Sequence, residues 1–193
     1  MSLQTITQNE TELLLTILKS PQANYNAKNL AEKIGISSMG AVKIVKNLEK
    51  EGILTSKLIG KANIYHINTT PEYNKQYIKF LLQREAQQAK PYTKVWINEL
   101  KKITAAEIII LFGSILRTEQ AQDIDVLFVT KELSKLQKEI QEIQDLSDTK
   151  IHPIFQSIED FRKNIRKEDK ALLCAINGIV VKGDKTYLEL ITT

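Results

Sequence analysis

Apolar positions along the chain keep a helical rhythm at first and alternate with strand-like runs later. Positions 10–20 (ETELLLTILKS) carry apolar residues at helical spacing and stop before Pro21, which predicts a first helix. Residues 27–35 (AKNLAEKIG) place Leu30, Ala31 and Ile34 on one face, with Asn26 as N-cap and Gly35 as stop. A third helix is expected from the Ser37-Ser38 cap to 51, closed by Gly52. Its apolar stripe reads as Val42, Val45 and Leu48, with Ser38, Lys43, Lys46, Asn47 and Lys50 falling largely elsewhere. Two β-like runs, 53–59 and 62–68, hinge at Gly60-Lys61 and predict a hairpin.

Thr69-Thr70-Pro71 closes this first group. Residues 72–89 read as a helix, with Tyr73, Tyr77, Phe80 and Leu81 at roughly helical spacing until Pro91 interrupts it. This connector offers a homodimer seam over 72–90. Beyond it the pattern predicts a helix over 93–103, a strand over 107–112, and a second strand, ending at 129, that carries Asp123 and Asp125. A helix over 131–144, a strand over 150–156 and a helix over 158–166 follow. The region 171–190 contains a short strand at 178–181. Together these elements predict an α/β protein, α+β overall: a helical and hairpin domain (1–70), a helical connector (71–91) and a domain of mixed sheet with helices (92–193).

Charge sharpens the division. Residues 1–104 hold 15 Lys/Arg against 8 Asp/Glu, whereas residues 105–193 hold 12 against 15. The basic part is the candidate for contact with a polyanion. With one cysteine, Cys174, an internal disulfide is excluded, and with only His66 and His152 besides, a structural zinc site lacks ligands. His66 reads as a half-exposed packing residue. The first residues are polar, and no run approaches the roughly 18 apolar residues that cross a bilayer, so the expectation is a cytoplasmic protein with no membrane partner.

The chemistry concentrates in LFGSILRTEQAQDIDVLFV, residues 111–129. Side chains on a strand alternate faces, so Asp123 and Asp125 project from one side about 7 Å apart. Carboxylates inside an Ile-Val-Leu-Phe run cost free energy unless paired or coordinated. Two of them can hold Mg²⁺, which keeps several waters and binds through few protein carboxylates plus phosphates. Gly113 allows close backbone approach to a phosphate, and Ser114 at a helix start offers a hydroxyl and amide hydrogens to an anion. The bland alternative is a turn joining two strands, with the aspartates at a sheet edge.

Three helices followed by a hairpin, carried by NAKNLAEKIGISSMGAVKIVKNLEKEGIL and SKLIGKANIYHIN, resemble the winged helix-turn-helix domain of transcription regulators. The resemblance implies that the third helix enters the major groove of double-stranded DNA, with Ser38, Met39, Lys43, Lys46 and Asn47 at bases or phosphates. It also implies that Lys57 and Lys61 on the wing meet phosphates. Modules of this shape serve as protein-docking units as well.

The 111–129 run is similar to minimal nucleotidyltransferases of the DNA polymerase beta superfamily, whose signature is an apolar strand, Gly-Ser, then Asp-x-Asp on the next strand. That similarity implies nucleoside triphosphate binding by Gly113, Ser114 and Arg117, and Mg²⁺ binding and catalysis by Asp123 and Asp125. The chain departs from the pattern in its short Ser114-to-Asp123 spacing, in Thr118 and in Gln122. It also has His152, in KIHPIFQ, where a third carboxylate would stand. His152 reads as packed or hydrogen-bonded, and Glu159 and Asp160 as first-turn acids behind a Ser157 N-cap. Two functions follow: a DNA-binding regulator or antitoxin-like protein whose second domain binds a metal-nucleotide, or an active transferase of NMP from an NTP to a hydroxyl on protein, nucleic acid or a small molecule.

Overall fold

The computed structural model describes residues 6–118 and 121–192. It divides into two compact units, 1–81 and 82–191, each with its own core.

The first unit opens with α1 (Gln8–Leu18), started by a capping box in which Thr7 and Glu10 exchange hydrogen bonds. α2 (Ala27–Ile34) is capped by Asn26 and stopped by Gly35 in the left-handed region, as its sequence predicts. The Ser37 hydroxyl accepts from Gly40 N at the start of α3 (Ser38–Lys50). β1 (Leu54–Ile59) and β2 (Ala62–Ile67) pair antiparallel around Gly60-Lys61. This order, three helices and then a hairpin, is the one the pattern predicts. Leu13, Leu14, Leu30, Ala41, Val45, Leu48, Ile53 and Leu54 are among its buried residues.

One expectation about a helix face is corrected. The buried stripe of α3 is Ala41, Val45 and Leu48, not Val42, Val45 and Leu48; Val42 is exposed. Spacing of i, i+4, i+7 follows the 3.6-residue turn, whereas i, i+3, i+6 drifts 60° off it. In α4 (Glu72–Gln88), Ile78, Leu81 and Leu82 are buried while Tyr73 and Phe80 stand out in solvent. Asn74 is buried among the apolar residues because its amide donates to the carbonyls of Gly52 and Asn68.

The second unit has a four-stranded sheet in the order β5-β4-β3-β6. After α5 (Pro91–Leu100), which begins two residues earlier than the pattern suggests because proline suits the first helical turn, come β3 (Ile108–Phe112) and β4 (Asp123–Val129). α6 (Leu133–Gln144), β5 (Lys150–Gln156), α7 (Ile158–Arg166), α8 (Lys170–Ile176), β6 (Ile179–Lys182) and α9 (Asp184–Ile191) complete it. β3 runs antiparallel to β4 and β6, and β4 runs parallel to β5, so the sheet is mixed. Ile124, Val126 and Phe128 join Ile109, Leu111 and Ile151 in a core with Trp96, Leu100, Leu136 and Ile140 of α5 and α6. α7, α8 and α9 pack on β5 and β3 from the other side.

Candidate functional site

On α3 the exposed residues form one face. Met39, Lys43, Lys46 and Lys50 lie at i, i+4, i+7 and i+11, which stacks them in a line along the helix, flanked by Val42 on one side and Asn47 on the other. Ser38 is exposed at its N-terminal end. Lys57 and Lys61 are exposed on the hairpin, Lys61 at its tip. No ion pair among the described residues engages Lys43, Lys46, Lys50, Lys57 or Lys61. A 2.5 Å hydrogen bond from Ser56 Oγ to Glu49 Oε1 ties the hairpin to α3. Lys50 and Val42 were not among the DNA contacts that the resemblance implied; Lys50 continues the series as i+11, and Val42 flanks it as i+3. His66 is exposed on β2 opposite Thr55.

The acidic corner lies in the second unit. β4 is an inner strand, flanked by β5 and β3, which removes the sheet-edge alternative for its aspartates. Asp123 and Asp125 lie on the face opposite Ile124 and are both half-buried. Asp125 sits across from Phe112, and β3 then turns at Gly113, whose φ is +83°. A Cβ added there would collide with the Asp125 carboxylate, so glycine is what lets carboxylate and backbone meet. Ser114–Leu116 forms a short 3₁₀ turn. Three donors from around α5 brace the segment: Thr93 Oγ1 to Ile115 O (3.1 Å), Lys90 Nζ to Arg117 O (3.0 Å) and Tyr92 Oη to Ala121 O (3.3 Å). The Arg117 side chain is exposed. Glu119 and Gln120, inside the 111–129 run, lie outside the described residues.

His152 is not packed. It pairs in register with Asp125, is 56% exposed, and places Nδ1 3.3 Å from Asp123 Oδ2. It therefore shares the row of the two aspartates, on the strand parallel to theirs. Ser157 caps α7 by accepting from Asp160 N at 3.0 Å and donating to Asp160 Oδ2, so Asp160 serves the helix start. Among the described residues, no three His, Cys, Asp or Glu side chains gather to form a metal cage. A cavity of about 400 Å³ is lined in part by Gln83, Lys101, Lys182 and Asp184, and no sequence-predicted site residue lines it.

No family model and no curated protein matches the chain. Among solved structures, the zinc-dependent MarR family transcriptional regulator AdcR in its Zn(II)-bound state matches with 21% identity and a TM-score of 0.27, covering 51% of this chain and 74% of that one. A superposition so loose carries no argument about activity. No helix among the described residues is long and apolar enough to cross a membrane.

Proposed function

We propose that the chain is a DNA-binding transcription regulator whose first unit engages double-stranded DNA through α3 and the hairpin. The observation that carries this reading is the unpaired line of Lys43, Lys46 and Lys50 on α3, with Lys57 and Lys61 on the wing. Ser38, Met39 and Asn47 share the exposed surface and stand where base edges would be reached. The exposed Tyr73 and Phe80, with Tyr77 stacked on Tyr73 at 6.5 Å, support pairing of two copies over 72–90. A pair would match half-sites related by two-fold symmetry. The test is binding to duplex DNA across a salt series. Lys43→Ala/Lys46→Ala is expected to weaken binding at all sequences and to lower the salt slope by roughly 1 per lost phosphate contact. An unchanged slope overturns the assignment.

A second reading is supported by the Gly113–Asp125 approach: the second unit holds a metal-nucleotide. Asp123 and Asp125 fit one Mg²⁺ that fills its other positions with water and phosphate oxygens. Gly113, Ser114 and Arg117 would receive the phosphates. A bound magnesium ion would neutralise phosphate charge, and in a transferase it would also assist departure of pyrophosphate. Asp123 and Asp125 would hold that ion, and Ser114, at the start of the 3₁₀ turn, would supply a hydroxyl to the anion. With His152 in place of a third acid, binding is the function favoured over transfer; a hydroxyl on a protein partner, nucleic acid or small molecule is the acceptor if transfer occurs. Calorimetry with ATP and Mg²⁺ is expected to give a signal that Asp123→Asn/Asp125→Asn removes. Equal heats from both proteins would refute this use of the aspartates.

A further inference from the structure

The face of α3 that carries the lysines also carries two large apolar side chains. Met39 is 83% exposed and Val42 38% exposed, although the buried stripe of the same helix is satisfied by Ala41, Val45 and Leu48. Met39 occupies the first turn of α3 and Val42 the next, one turn before Lys46. In a helix lying in the major groove, N-terminal residues approach base edges while later cations reach phosphates. The base edge that rewards an apolar side chain is the C5-methyl group of thymine.

We infer that Met39 and Val42 read thymine methyl groups in the major groove, so that the preferred target is a duplex with thymines under the N-terminal half of α3. This rests on the DNA-binding reading above and deepens it. Charge complementarity between Lys43, Lys46 and Lys50 and the phosphates sets the helix down, which carries no sequence information. The two apolar tips then add a preference that depends on methyl groups alone. Both side chains lie outside the core, so shortening them leaves the fold in place.

Sequences would be enriched from a random duplex library with the full-length protein, and the selected duplex remade with deoxyuridine replacing every thymine. That change deletes methyl groups and keeps every hydrogen-bonding edge. Wild type is expected to bind the deoxyuridine duplex about three- to fourfold more weakly per contacted methyl. In Met39→Ala/Val42→Ala the ratio between the two duplexes should collapse toward one. Equal binding of both duplexes by wild type overturns the methyl readout while leaving DNA binding intact. An undiminished ratio in the double variant overturns the assignment to these two residues. Failure to enrich any sequence, with no salt-dependent binding to the library, overturns the DNA-binding reading itself and this inference with it.

Discussion

At Gly113 a hydrogen in place of a methyl group decides whether Asp125 stands where it does. Gly113→Ala places a side chain at φ +83° and against the carboxylate, which is expected to destabilise the second unit by roughly 1–3 kcal/mol. Chemical denaturation measures the loss, and a variant as stable as wild type would mean that the corner relaxes freely. That Asp123 and Asp125 share one face of their strand was legible in the sequence, because strand side chains alternate and charges inside an apolar run stand out. The place of His152 beside them came only through the resemblance, since register between parallel strands depends on a crossover that residue patterns alone do not encode. Val42 was misplaced for a simpler reason: Ala41 is small, and a stripe read from large residues alone passes over it.

Most helices and strands could be read from caps, prolines and periodicity, because each of these acts locally. Asn26, Ser37, Gly35 and Gly52 stand at the helix ends their chemistry suits. The pairing of β6 with β3 could not be read, for it joins residues far apart in the chain. Neither could the carboxylate of Glu139 on α6, which accepts from Thr104 Oγ1 and from the amides of Thr104 and Ala105. Partial burial pushes this carboxyl up, but the Thr104 hydroxyl and the two amides outweigh it and hold it below its usual range. A depressed folded value means the contribution is present above the ordinary carboxylate range and is lost as pH falls through the folded value. Glu139→Gln should therefore cost about 1 kcal/mol near neutrality, and the difference from wild type should shrink on acidification. A gap constant from pH 7 to strongly acidic conditions would contradict this.

On α9, Tyr187 is fully buried and donates to Ile176 O at 3.0 Å. Burial, with the Glu85 charge adding to it, pushes its phenol well above its ordinary value. A raised folded value gives stability that is complete below about pH 10, the unfolded value, and is lost as pH rises through the folded one. Tyr187→Phe is expected to lower stability by about 1 kcal/mol at neutrality and to blunt alkaline unfolding. Urea midpoints measured across the alkaline range decide it; an unaltered alkaline limb would remove Tyr187 as the titrating group.

Across the whole molecule, charge is uneven: residues 1–81 hold 10 basic against 6 acidic residues, and residues 82–193 hold 17 against 17. A polyanion should therefore favour the first unit. Hydrogen exchange in the presence of duplex DNA is expected to slow amides within Ser38–Lys50 and the β1–β2 hairpin, and to leave β4 and β5 unchanged. Protection centred on β4 instead would reverse the roles given to the two units. β4 also bears on how the chain finds its fold. It lies between one parallel and one antiparallel neighbour, and a slip of one residue against either would turn Asp123 and Asp125 into the layer held by Ile124, Val126 and Phe128. Two carboxylates forced among leucines and isoleucines would make that misaligned sheet far less stable than the native one. The acids that mark the candidate site thus also act as a key against misregistered folding, a role they hold whether or not any ligand ever binds.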